Sequence, residues 1–343
     1  MRSTTTGVLA AVLVGAGIAA SVVAYSATTP DPPGGGGPAG APAPVSASGF
    51  FVDPNTAAAA QVAQWQAEGR ADDATQIREI ADQPVPLWVT GDAEQVQAQA
   101  GEYVARAAAA GARPMVVAYN IPNRDCGSFS GGGAPDGAYY REWVDRLAAA
   151  LGSSGAMVVL EPDAVPHELS GCVDGALRDE RYELLGAAID TLKRAGATVY
   201  LDAGNPGFIT DVDALGGALD RSGVGRADGF SLNVANFRTT EENAAFGEAL
   251  SLRLGGARFV IDTSRNGAGA PPTEDIDGAP SFCNPPDRAL GAAPTIDTGL
   301  PLVDALLWVK RPGESDGVCR PGEPDAGTWY PDYALGLAER NPQ

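Results

Sequence analysis

Four aspartates are the residues whose type and spacing could do chemistry. Asp125, Asp163, Asp202 and Asp316 each stand at or just past the end of a short apolar run. Carboxyl groups brought face to face can hydrolyse a glycosidic bond. One, protonated, donates to the leaving oxygen, while a second activates water or attacks directly. Burial and like charge would keep the proton on the donor. Such crowding costs stability, so a functional purpose explains it better than chance. Two tryptophans fit the same chemistry, Trp88 near the end of one expected strand and Trp308 on the last. A flat indole stacks on the apolar face of a sugar ring, although core packing would use an indole equally well.

Other chemistries fit less well. Gly313-Glu-Ser-Asp-Gly317 has the form of a nucleophile elbow. Val318-Cys-Arg-Pro321 follows, however, where a helix must start, and the triad histidine should come last in the chain. The single histidine, His167, lies far upstream, and one histidine excludes every metal motif that needs two. The acidic clusters lack EF-hand spacing, so neither a metal nor a cofactor is expected. Gly131–Gly133 lacks the Lys-Ser/Thr of a phosphate loop and reads as a flexible loop beside a cleft. Lys and Arg total 23 against 43 Asp and Glu, a formal charge of −20. A field of that sign repels phosphate backbones, so no nucleic-acid partner is expected.

Positioning these residues falls to a repeated unit. Eight β-like runs are expected: Phe50–Asp53, Pro86–Thr90, Met115–Asn120, Ala156–Glu161, Thr198–Asp202, Gly229–Asn233, Arg258–Asp262 and Leu306–Lys310. Helix-like stretches lie between them, among them Asp92–Ala110, Tyr139–Leu151, Arg178–Ala195 and Thr240–Leu254. Thr239 with Glu242 is a capping signature for the last. Alternating strand and helix means an α/β fold with a parallel sheet, and runs such as MVVAY and MVVLE suit strands covered on both faces. Asp53, Asn120, Glu161, Asp202, Asn233, Asp262 and Lys310 close seven of the eight runs. In a (β/α) barrel those ends converge on one face, so the polar groups there should share one site.

The 343 residues are 44% hydrophobic, enough for a core and against global disorder. Residues 1–27 read as an export signal, with Arg2 before an uncharged run from Gly7 to Ala24; an uncleaved anchor is the alternative. Residues 28–47 are rich in Pro and Gly and read as a linker, leaving one folded domain over 48–343. Export permits disulfides. Four cysteines allow three connectivities, and the sequential one, Cys126 with Cys172 and Cys283 with Cys319, is the simplest.

Taken together, several strings resemble glycoside hydrolase family 6, the inverting cellulases. They are Val116-Val-Ala-Tyr-Asn-Ile-Pro-Asn-Arg-Asp-Cys126, Leu160-Glu-Pro-Asp163, Tyr200-Leu-Asp-Ala-Gly204, Asn233-Val-Ala-Asn-Phe237, Asp262-Thr-Ser-Arg-Asn-Gly267, Phe282-Cys-Asn-Pro-Pro286 and Trp308-Val-Lys-Arg-Pro-Gly-Glu-Ser-Asp-Gly317. They run in family order from about residue 50 to the C-terminus. The resemblance implies a distorted parallel (β/α) barrel of seven to eight strands, and hydrolysis of β-1,4-glucan with inversion. Asp163 would be the general acid. Asp125 would raise the acid's pKa and organise water, and Asp202 would hold the charge network. Asp316 would be the base, a role debated in the family. Tyr119 would lie beneath the distorted sugar. Trp88, Lys310 and Glu314 would line glucose subsites, with Asn205, Asn233 and Trp308 as further substrate contacts. The sequential disulfide pairing is implied as well.

Where the family continues Leu-Asp-Ala-Gly with His and then Trp, this chain has Asn205 and Phe208. That departure implies altered substrate contacts on one side and leaves a glucan-binding protein or a hydrolase of another β-glucan as rivals. Short loops imply an open cleft and internal cutting rather than the roofed tunnel of chain-end-acting members. A secreted monomer is expected, with no separate carbohydrate-binding module and no membrane contact beyond an N-terminal anchor.

Overall fold

The computed structural model describes residues 46, 48–173 and 175–341. The expected leader over 1–27 and nearly all of the expected linker over 28–47 lie outside the described residues. Seven parallel strands are hydrogen-bonded in chain order, β1 to β7. They are β1 (Leu87–Val89), β2 (Met115–Ala118), β3 (Met157–Leu160), β4 (Thr198–Asp202), β5 (Gly229–Leu232), β6 (Arg258–Asp262) and β7 (Val303–Leu307). No ladder joins β7 back to β1 among the described residues, so the sheet is a barrel with one open seam.

Helices α1 (Ala57–Ala67) and α2 (Ala71–Ala81) precede β1, and α9 (Pro331–Glu339) follows β7. Returning helices are α3 (Ala93–Ala109), α4 (Gly137–Leu151), α6 (Gly175–Arg194), α7 (Val212–Arg221) and α8 (Thr240–Arg253); a short α5 (Ala164–Leu169) follows β3. Their starts are encoded locally. Asp92, Asp136 and Asp211 accept the first-turn amides of α3, α4 and α7, and Thr239 and Glu242 form the expected capping box on α8. Their inner faces follow helical spacing, as with Tyr140, Trp143, Val144, Leu147 and Leu151 on α4.

Strand parity divides the core. Val116, Ala118, Val158, Leu160, Val199 and Leu201 point out into the layer under the helices. Met115, Val117, Tyr119, Met157, Val159, Tyr200, Leu307 and Val309 point into the barrel. That alternation aims Tyr119 inward at the C-terminal end of β2.

Two expected elements differ. Phe50–Asp53 is not a strand: only Phe50 bridges Arg113, while Asp53 turns to pair with Arg106 (2.7 Å) and to accept the Asn55 amide (3.0 Å) around Pro54. Among the described residues seven strands therefore form, not eight. The last strand is Val303–Leu307 rather than Leu306–Lys310. The amides of Val309 and Lys310 leave the ladder for the Asp262 carboxylate, at 3.3 and 2.9 Å.

This last contact belongs to a pattern at the strand ends. Glu161, after β3, accepts the amides of Asn120 and Ile121 and the hydroxyl of Tyr140, each at 2.9 Å. Asp202, ending β4, accepts the amides of Asp163 (2.8 Å) and Gly204 (3.0 Å) and the Ser231 hydroxyl (2.9 Å). Asp262, ending β6, also accepts the amides of Ala235 (3.0 Å) and Ser264 (2.9 Å). All three are fully buried. Each thus ties the loop after a neighbouring strand to its own strand end. In Asp262→Ala those buried amides lose their acceptor, at about 1–3 kcal/mol for each group left unsatisfied. Urea denaturation should show a loss above ~3 kcal/mol; an unchanged unfolding midpoint would contradict the latch.

Candidate active site

A cleft of about 1160 Å³ opens over the C-terminal ends of the strands. Its walls include Trp88, Tyr119, Asp125, Asp163, His167, Asn205, Phe208, Lys310, Glu314 and Asp316. Residues from β1 and from the loops after β2, β3, β4 and β7 thus meet in one place, as the strand-end pattern predicts.

Asp163 sits at the start of α5 with φ +65°, and Glu161 before it has φ +48°. This left-handed backbone is strained for residues other than glycine and persists only where the surroundings hold it. The holding contact is the Asp163 amide on Asp202. Burial, then the charges of Asp202 and Asp125, raise the Asp163 carboxyl well above the usual range. Asp202 is pushed up by burial to about 6, against three hydrogen bonds that favour its ionised form. Of the two, Asp163 is driven further towards its neutral form.

Asp125 lies on a tight turn, with φ +54°, between Asn123 (φ +55°) and Cys126 (φ +51°). Its Oδ2 accepts both the amide and the hydroxyl of Ser130, each at 2.8 Å. The Ser130 hydroxyl is 3.0 Å from that of Tyr119. Because Ser130 donates to the carboxylate, the tyrosine donates to Ser130. The fold back from Asp125 to Ser130 needs Gly133, where φ is +93° and a Cβ would collide with the Ile121 carbonyl oxygen. The Gly131–Gly133 segment lies beside the cleft, as expected, with Gly131 on its wall. The Tyr119 ring also receives the edge of Trp88 at 5.4 Å and 88°, and the Trp88 indole donates to the Val309 carbonyl (2.9 Å) beyond β7.

Asp316 is differently placed. Its carboxylate pairs with Arg265 (2.8 Å) and Lys310 (3.2 Å) and accepts the Asn284 amide (3.0 Å). Burial works to raise it, but Arg265 and Lys310 outweigh burial and hold it below the usual carboxylate range. Asn284 returns a hydrogen bond, accepting the Asp316 amide at 2.7 Å. The bond between Cys283 and Cys319 fixes the same loops, and that between Cys126 and Cys172 ties the Asp125 loop to the segment after α5. Glu314 pairs with Arg311 at 2.9 Å.

Two expected contacts do not reach the cleft. Trp308 alternates outward, between the inward Leu307 and Val309, and packs with Trp65, Leu290 and Leu337 while its indole donates to the Ala292 carbonyl. Asn233 is fully buried, its amide donating to the Asp262 and Arg238 carbonyls. Conversely, His167 stands on the wall with its ring edge on Phe208 at 5.5 Å. Burial lowers its pKa, so the imidazole is neutral at neutral pH. Asn205 also lines the wall, and its Oδ1 accepts the Gly207 amide.

The model of the family described as "Glycosyl hydrolases family 6" matches residues 45–341. The chain belongs to this family. Endoglucanase A of Cellulomonas fimi is 43% identical over 297 residues, covering 86% of this chain and 62% of that protein. Endoglucanase A of Thermobispora bispora is 38% identical over 309 residues, covering 87% and 63%. The chain thus spans less than two thirds of the length of either relative. The endoglucanase Cel6 from Mycobacterium tuberculosis, solved in complex with methyl-cellobiosyl-4-deoxy-4-thio-β-D-cellobioside, has a TM-score of 0.79. It is 42% identical, with 87% of this chain and 99% of that one covered.

Within this family 6 cleft, Ser130 and Asn284 are site residues that nothing in the local sequence marks. Arg265 stands inside a family-like string with no role attached to it. Only the folded loops bring these residues to Asp125 and Asp316. The pairing gives a direct prediction. Asp316→Asn leaves Arg265 and Lys310 buried without their counter-charge. Breaking a buried pair from one side costs about 3–5 kcal/mol, and urea denaturation should register it; a variant as stable as the parent would show that the pairs contribute nothing.

Proposed function

We propose that this family 6 chain is a secreted, endo-acting hydrolase of β-1,4-glucan that inverts the anomeric centre. The observation that carries the reading is a carboxyl on the cleft wall, Asp163, whose amide is held by Asp202 and whose proton affinity is raised by burial, Asp202 and Asp125. The endoglucanase relatives and the cellobioside-type ligand of the Mycobacterium tuberculosis enzyme support the substrate class and internal cutting. Export rests on the leader-like residues 1–27.

Asp163 gives its proton to the leaving glycosidic oxygen, and a water attacks from the opposite face. The water must then lose a proton. Asp316 is poorly suited to take it, since two cations hold its proton affinity down. Asp125 has no ion pair, and its Oδ1 has no hydrogen bond, among the described residues; Ser130 fixes its orientation. We therefore assign proton acceptance to Asp125, directly or through one water, and assign Asp316 to holding Lys310 on the cleft wall. Trp88 and Tyr119 supply aromatic faces for sugar rings.

Asp163→Asn should lower kcat on soluble cellulose derivatives about 10²–10⁴-fold with the fold intact, and a rate near the parent's would remove Asp163 as the acid. Proton NMR of fresh digests should show the α-anomer first. The sign of the pH effect is fixed: Asp163 must be protonated, and the Asp202 charge raises its pKa. Asp202→Asn should therefore move the alkaline limb of kcat to lower pH; an unmoved limb would contradict the coupling. Turnover of another β-glucan alone, in a polysaccharide panel, would replace the substrate assignment.

A further inference from the structure

Arg181 is a buried cation that the proposed chemistry does not use. It lies on α6, only 3% exposed, and forms no salt bridge among the described residues. Its guanidinium instead donates to three backbone carbonyls. Nη1 reaches Ala164 (3.2 Å), and Nη2 reaches Pro122 (2.8 Å) and Asn123 (3.1 Å). Ala164 directly follows Asp163, and Asn123 stands two residues before Asp125. The charged groups facing it are Glu168 on α5, Glu161 at the end of β3 and, when ionised, the Tyr140 phenol on α4.

A buried charge without an ion pair is costly, so its retention calls for a reason. The reason lies in what the two loops carry. Asn123, Asp125 and Cys126 on one, and Glu161 and Asp163 on the other, all have positive φ. Neither loop takes this shape from local preference. A planar fork with five donors can hold carbonyls from both loops at once, whereas an ammonium is a point donor on a flexible stem.

We propose that Arg181 is a positioning residue that clasps the Asp163 loop to the Asp125 loop and so sets the spacing of the two carboxyl groups. The catalytic part of this proposal rests on the hydrolase reading above; the clasp itself does not. The spacing matters twice. It fixes where the proton donor stands relative to the water-side carboxylate, and it sets how strongly Asp125 raises the proton affinity of Asp163.

The test uses the full chain with Arg181→Lys and Arg181→Met. Hydrogen exchange read by mass spectrometry should speed up in residues 122–131 and 161–169 and stay at parent values in β4–β6. On soluble cellulose, kcat should fall about 10²-fold with KM little changed, and the alkaline limb of kcat should move to lower pH. A merely structural role would lower the melting temperature and leave the pH limb in place. Parent-like exchange in both loops of folded Arg181→Lys would overturn the clasp. Faster exchange with parent-like kcat and pH limb would overturn its positioning role. If the parent chain cleaves no β-glucan, the hydrolase reading fails and the exchange data alone decide the clasp.

Discussion

The structure depends on carboxylates that are buried without an ion pair among the described residues and satisfied by backbone amides. Glu161, Asp202 and Asp262 each accept amides from the chain just beyond a neighbouring strand or beyond their own. A parallel ladder must end somewhere, and the amides beyond it would otherwise be buried and unpaired. Ionising a carboxylate there costs several kcal/mol, and amide bonds to a charged acceptor return about 1.5–3 kcal/mol each. The balance is close, which is why burial leaves the pKa of Glu161 at about 7 and that of Asp202 at about 6. These groups fasten the loops and also set the charge beneath the cleft.

Function grows out of the same contact. The Asp202 oxygen that holds the Asp163 amide also places negative charge under the Asp163 carboxyl. One interaction shapes a strained loop and raises the proton affinity of its side chain. On the far side, Arg265 and Lys310 do the reverse for Asp316 and keep it ionised. The cleft therefore holds one carboxyl driven towards its neutral form and one held in its charged form by two cations. Environments that separate like groups in this way give them different roles: in the reading proposed above, Asp163 donates a proton while Asp316 anchors Lys310.

Much of this was legible in the sequence. MVVA and MVVL read as doubly covered strands and are so, and Thr239 with Glu242 caps α8 as its spacing implies. Both disulfides pair as the sequential order suggested. Convergence of strand ends on one cleft also followed from the alternation of elements. What the chain alone hid was the difference between a carboxylate that faces the cleft and one that fastens a loop. Asp202 and Asp262 end strands in the same way as residues on the cleft wall, and only the backbone amides around them show that they point into the protein. Parity hid Trp308 for a similar reason. A strand end misplaced by a few residues turns an outward indole into an apparent inward one. Ser130 and Arg181 gave no local signal, because their partners come from turns whose positive-φ geometry exists only once folded.

The central claim is the location of a single proton. Neutron diffraction from crystals of the unliganded protein at neutral pD would locate it directly. A deuteron is expected on the Asp163 carboxyl and none on Asp202, with Asp202 accepting the Asp163 amide. A deuteron on Asp202 over a bare Asp163 would contradict it.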